Sequence, residues 1–226
     1  YRVFVENWGA RLVEVPFDEE TMLPDLAAFE RALTPRTKMV IVNTPNNPSG
    51  LVYPAAAADG IAGALFRAQR AFGHPILLLS DEPYRDLVYD GAQNPWWPTI
   101  YRNTAVVYSF SKSASIAGER IGYAALTPEM ADRDALLAGI RHSFGDIGFV
   151  NAPATAQRMA AACADETVDI AYYDRNRRMP PEAVSRALPL FAQVAKEYGL
   201  SAQSPSAEPE PAAPAQPAPF TVLFAS

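Results

Sequence analysis

"KMVIVNTPNNPSG", residues 38–50, decides the fold. Met39 to Val42 form an unbroken apolar run of buried-strand length, and the Asn, Pro, Ser and Gly residues that follow end the strand in a turn. A strand that is apolar at every position has no polar face to offer water, so both its faces must be covered. The pattern returns in "PILLLSDEP" (75–83) and "TAVVYSFS" (104–111), and two further strands are read at "RLVEVP" (11–16) and "RIGYAAL" (120–126). Helical stretches separate them. "DLAAFERAL" (25–33) is amphipathic, with Asp25 or a neighbour as its N-cap, and "PAAAADGIAGALFRAQRAF" (54–72) is alanine-rich and periodic. Residues 129–141, 151–166 and 168–200 also read as helices, the last broken at Pro180, Pro181 and Pro189. A proline inside a helix removes a hydrogen bond and costs about 3 kcal/mol. Apolar strands alternating with helices define an α/β fold with a mostly parallel sheet flanked by helices.

Bulk properties narrow the function. With 226 residues, 49% of them hydrophobic and 19% charged, the chain is long enough for a sizeable core. A net charge of −6 and an isoelectric point near 5.0 argue against nucleic acid or an anionic membrane as partner. The lone cysteine, Cys163, excludes an internal disulfide and suits a reducing cytoplasm, and "MAAACADE" around it predicts burial on a helix face. Residues 201–219, "SAQSPSAEPEPAAPAQPAP", have the composition of a Pro/Ala-rich linker, and "FTVLFAS" (220–226) reads as a strand stub. The opening "YRVFVENWGA", without Met, reads as the interior of a longer protein.

In an open parallel sheet, ligands gather beyond the carboxyl ends of the strands. Three strands here end in "NTPNNPSG" (43–50), "SDEPY" (80–84) and "SFSK" (109–112). A pyridoxal phosphate site requires residues of these kinds: a lysine for a Schiff base, a carboxylate against the pyridine nitrogen, donors to the phenolic oxygen, and hydroxyls with an arginine for the phosphate. Asp81 at a strand end suits the carboxylate, and the planar fork of Arg120 suits two phosphate oxygens at once. Taken singly, these residues have ordinary explanations. Asn47 forms turns, Asp81-Glu82-Pro83 ends a strand, and Tyr84 and Tyr89 pack. The order and spacing of the three motifs together outweigh those explanations. Other candidates carry less: His74 and His142 lack partners at metal-ligand spacing, no Gly-x-Ser-x-Gly elbow exists, Trp96 and Trp97 read as packing residues, and "RNRR" (175–178) as a solvated helix face.

"NTPNNPSG", "SDEPYRDLVYDG" and "SFSKSASIAGERIGY", in this order, resemble the fold-type I pyridoxal-phosphate-dependent aminotransferases of class I and II over about residues 1–178, with Ser49 where the family commonly has threonine. The resemblance implies that Lys112 forms the Schiff base and shuttles the proton, and that Asp81 pairs with the pyridine nitrogen. It implies that Asn47 and Tyr84 bond the phenolic oxygen, and that Ser109, Ser111 and Arg120 bind the phosphate. The implied reaction moves an amino group from an amino acid to a 2-oxo acid, in a cytoplasmic homodimer. A β-lyase of the same fold, or the aminotransferase-like sensor domain of a transcription regulator, are the alternatives. The implied organisation is a partial large domain (1–166), a helical connection (167–200), the linker-like tract (201–219) and a stub of a small-domain strand (220–226). The family's sheet has a strand between those matched by 11–16 and 38–43 for which no counterpart is read here, and its substrate-carboxylate arginine falls beyond Ser226. These gaps predict a sheet incomplete at both ends and a chain of impaired activity.

Overall fold

A computed structural model describes residues 1–178 and 221–225. The chain divides into two compact units, Tyr1–Val168 with Ala218–Ser226, and Asp169–Pro217. The first unit is built on a six-stranded sheet. Its strands in chain order are β1 (Arg11–Val15), β2 (Thr37–Asn43), β3 (Leu77–Asp81), β4 (Thr104–Ser109), β5 (Gly122–Leu126) and β6 (Thr221–Ala225). They lie side by side as β1-β6-β2-β3-β4-β5, all parallel except β5, which runs antiparallel to β4. The mostly parallel, helix-flanked sheet read from the sequence is therefore present.

Helices flank the sheet. They are α1 (Arg2–Glu6), α2 (Leu26–Ala32), α3 (Ala55–Phe72), α4 (Trp97–Ile100), α5 (Phe110–Ser113), α6 (Arg133–Asp146) and α7 (Ala154–Ala162). Asp25 caps α2, accepting from the Ala28 amide at 2.9 Å. Helix α3 buries Ala57, Ala58, Ile61, Ala62, Ala64, Leu65 and Ala68, a stripe at helical spacing in which alanines let the backbone approach the sheet. Gly73 ends it in the left-handed conformation, donating to Gln69 O at 2.9 Å. The side chains of β2 alternate between two apolar clusters. Val40 and Val42 join Phe29, Ile61, Leu65, Leu78 and Trp97, and Ile41 joins Val5, Ala10 and Leu12. Burying each of the large aliphatic side chains contributes about 1.5–3 kcal/mol.

Residues 221–225, read as the stub of a small-domain strand, pair in parallel with both β1 and β2, so the gap expected between those strands is filled from the far end of the chain. Strand composition is a local property, whereas the choice of neighbours is not. Cys163 is exposed, not buried. Helix α7 buries Ala156 and Ala160, a stripe that position 163 would continue, but the helix stops at Ala162 and Cys163 is its C-cap, where the face is no longer carried against its neighbours.

In the second unit, α8 (Ile170–Arg177) is capped by Asp169, which accepts from the Tyr172 amide at 3.1 Å. Asp174 pairs there with Arg177 at 2.7 Å and Arg178 at 2.8 Å. Residues 179–200 of the expected helix and the tract 201–219 lie outside the described residues. Among the described residues no helix is long and apolar enough to cross a membrane.

Candidate active site

The register of the sheet brings the polar strand ends together. Asn43, the last residue of β2, lies opposite Asp81, the last of β3. Asp81 in turn lies opposite Val107 of β4, two residues before Ser109. Asn43, Asp81 and Ser109 and the loops that follow them leave the sheet on the same, carboxyl side.

Asn43 ties the first two ends. Its Nδ2 donates to the Asp81 carbonyl at 2.8 Å, and its Oδ1 accepts the Asn47 amide at 2.9 Å. The turn closes on itself through Asn46, whose Oδ1 accepts from Ser49 Oγ at 2.8 Å. Held this way, Asn47 points its Nδ2 at the Tyr84 phenol, 3.2 Å away. Lys112 reaches over the same tyrosine, with Nζ 5.6 Å from the ring centre. Asn47, Tyr84 and Lys112, far apart in sequence, therefore meet around one side chain.

Asp81 is half-buried and accepts from the Tyr1 phenol through Oδ2. Burial pushes its carboxyl above the usual carboxylate range, opposed by the Tyr1 bond and the nearby chain amine. The Tyr1 phenol is pushed up by burial and by the Asp81 carboxylate it touches. Beneath them, Glu82 is fully buried, accepting from Ser80 Oγ at 2.6 Å and from Arg85. Its carboxyl is also raised by burial, with Ser80 and Arg85 pulling the other way. The Arg85 guanidinium lies 4.4 Å from the centre of the Trp96 ring.

Ser109 and Ser111 form the third strand end. Ser109 Oγ accepts from the Ser111 amide at 3.1 Å, opening α5, and the two hydroxyls lie 2.7 Å apart. Tyr108, one residue earlier, donates to Asp86 and accepts from Ser113 Oγ at 2.6 Å, while its ring stacks on Tyr123 at 5.1 Å. Its phenol is raised, by burial first and then by the Asp86 carboxylate. Arg120 stands apart. It is exposed, has a left-handed backbone with φ 51°, and donates to Ala117 O at 2.9 Å within its own loop.

The structure thus brings Asn47, Asp81, Tyr84, Ser109, Ser111 and Lys112 to the carboxyl ends of three neighbouring strands, and leaves Arg120 turned into its own loop. Sequence reasoning missed four participants: Asn43, Tyr1, Glu82 and Arg85. Asn43 was within reach, as a polar residue ending an apolar strand. Tyr1, 80 positions from Asp81, carried no signal. A cleft of about 650 Å³ lies elsewhere. Arg70, His74, Arg102 and Asn103 line it at the amino ends of β3 and β4, whereas the chemistry-bearing side chains sit at the carboxyl ends.

A parallel α/β sheet with a lysine, a carboxylate, an amide–phenol pair and two hydroxyls at its carboxyl ends defines a class of cofactor-dependent enzyme scaffold. The model of the family "Aminotransferase class I and II" matches residues 1–180, and the chain belongs to that family. A probable aspartate/prephenate aminotransferase of Thermus aquaticus is 39% identical over 137 residues, 58% of this chain and 34% of that protein. Histidinol-phosphate aminotransferase 2 of Ralstonia nicotianae is 30% identical over 203 residues, 88% of this chain and 48% of that protein. A crystal structure of an aminotransferase from Eubacterium rectale superposes with a TM-score of 0.75 at 42% identity, over 82% of this chain and 47% of that one. The chain spans between about a third and a half of the length of these relatives.

Proposed function

We propose that this chain carries the cofactor-holding side of an aminotransferase site, and that the whole protein moves an amino group from an amino acid to a 2-oxo acid. The observation that carries the reading is the meeting of Asn47, Tyr84 and Lys112 beside Asp81, at the ends of adjacent strands. The family is one that generally uses pyridoxal phosphate, and the donor set fits that group in number and kind. When bound, pyridoxal phosphate supplies an electron sink for the pair left at the substrate α-carbon as its proton departs.

Asp81 is the seat for the pyridine nitrogen. Its carboxyl is raised by burial, and an opposing cation would restore its charge while being held in place by it. Tyr1 takes one oxygen of a group that accepts several hydrogen bonds. Asn47 Nδ2 and the Tyr84 phenol lie 3.2 Å apart, and both would donate to the phenolic oxygen of the cofactor. The Ser109 and Ser111 hydroxyls bind phosphate oxygens. Arg120 would join them by giving up its bond to Ala117 O, its guanidinium then being available to the phosphate. Lys112 contributes Nζ, both as the nucleophile that attaches the cofactor and as the carrier of the α-carbon proton. The proposal extends to a homodimer acting in the cytoplasm.

The test is chemical. Pyridoxal phosphate added to the chain should give a visible absorbance band, and borohydride should fix the mass of the cofactor onto the peptide carrying Lys112. A Lys112→Ala chain that shows the same band and the same fixed mass would refute the attachment site.

A further inference from the structure

Strands β1 and β2 follow one another in the chain, joined through α2, yet they do not pair: β6 lies between them. Its register is parallel on both sides, from Arg11↔Thr221 to Val15↔Ala225 on β1 and from Thr37↔Thr221 to Val42↔Ala225 on β2. Two strands with one strand between them stand about 9.5 Å apart, too far to hydrogen-bond each other. Without an occupant, the facing edges of β1 and β2 would leave unpaired backbone groups beside Leu12, Val15, Val40, Ile41 and Val42, all buried. The slot therefore demands an extended segment of about five residues. The residues of β1 and β2 that flank it feed apolar clusters on both faces of the sheet, so the segment must be apolar after its first residue, which lies opposite Arg11 and Thr37. Thr-Val-Leu-Phe-Ala, β-branched and aromatic, has that composition.

We propose that the slot between β1 and β2 is a strand-binding site whose ligand is an extended apolar peptide of the sequence of residues 220–226. Thr221–Ala225 is its resident, held by backbone pairing on both edges and not by its covalent connection. The connection serves to keep the resident at high effective concentration. The residues proposed to hold the cofactor, Asn47, Asp81, Tyr84, Ser109, Ser111, Lys112 and Arg120, all lie outside β1, β2 and β6, so uptake of the peptide is read separately from cofactor attachment.

The test uses the full chain carrying Leu223→Pro, which removes a ladder donor from the resident and weakens its pairing. A fluorescent peptide of residues 220–226 should bind this variant saturably, by anisotropy, and bind the unsubstituted chain at least about tenfold more weakly, because the resident competes. The same peptide carrying Leu223→Pro should not bind. Absence of saturable uptake by the variant, or equal uptake of the proline peptide, overturns the proposal. A second arm avoids dependence on the variant's folding. A protease site is placed within residues 201–219 of the otherwise unchanged chain, which is cut and passed over a sizing column. Co-elution of the released C-terminal peptide with the chain supports the site, and its loss overturns it.

Discussion

Replacing Arg85 by leucine should destabilise the chain more than replacing Glu82, although both changes break one ion pair. The asymmetry follows from burial: the Glu82 side chain is 0% exposed and that of Arg85 is 26% exposed. Without Arg85, a carboxylate remains in the interior with the Ser80 hydroxyl as its recorded partner, and stranding one member of a buried pair costs about 3–5 kcal/mol. Loss of the guanidinium from the Trp96 ring adds about 0.5–1 kcal/mol. In Glu82→Leu the guanidinium can turn to water, so the losses are its charge-assisted hydrogen bond, about 1.5–3 kcal/mol, and the bond of the buried Ser80 hydroxyl, about 1 kcal/mol. Adding Glu82→Leu to Arg85→Leu should therefore recover stability. The pH dependence has a definite sign. Burial already raises the Glu82 carboxyl, and removing Arg85 raises it further. A raised carboxyl binds its proton more readily in the folded chain, so stability falls as pH climbs from the ordinary glutamate value of about 4.3 through the folded value. Urea unfolding at about pH 5 and about pH 8 should show the smaller Arg85→Leu loss at the lower pH. A loss below about 1 kcal/mol at the higher pH, an equal loss at both, or a worse Glu82→Leu would refute the reasoning.

Two further outcomes are expected. Gly122→Ala should cost about 1–3 kcal/mol and reduce borohydride labelling of Lys112. Its Cβ would lie 2.2 Å from Tyr108 O and 3.2 Å from Ser109 Cα, so β4 and β5 must part next to Ser109; an unchanged melting temperature would contradict this. Tyr1→Phe removes a donor that draws the Asp81 carboxyl down, so its titration, followed by carbon NMR, should move up and stability at neutral pH should fall. An Asp81 titration that stays put or moves down would show that the Tyr1 contact does not act on it.

Much of the candidate site was legible because its residues are strand ends. An apolar run that stops at Asn43, Asp81 or Ser109 announces both the strand and the side of the sheet on which its last side chain emerges. Helix α2 and its Asp25 cap were legible for a similar reason, since capping involves residues three apart. Glu82 was harder. Nothing in "SDEPYR" tells which of two adjacent acids is buried, and the strand's alternation resolves it only once the core lies on a known side. Arg120 shows the limit from the other direction: the sequence puts it at the family's spacing, yet its guanidinium bonds its own loop.

Local sequence was enough to specify the elements, their alternation and the chemistry at the strand ends, because periodicity, caps and turns are properties of residues a few positions apart. It did not determine which strand neighbours which. Thr221–Ala225 has a strand's composition wherever it lies, and only the assembled sheet, with the open edges of β1 and β2 facing each other, gives it a place. The Tyr1–Asp81 bond, the buried Glu82–Arg85 pair and the exposure of Cys163 belong to the same category. Each depends on contacts between distant parts of the chain, or on where a helix stops against its neighbours. The free energy of such contacts exists only once backbone and core are in position.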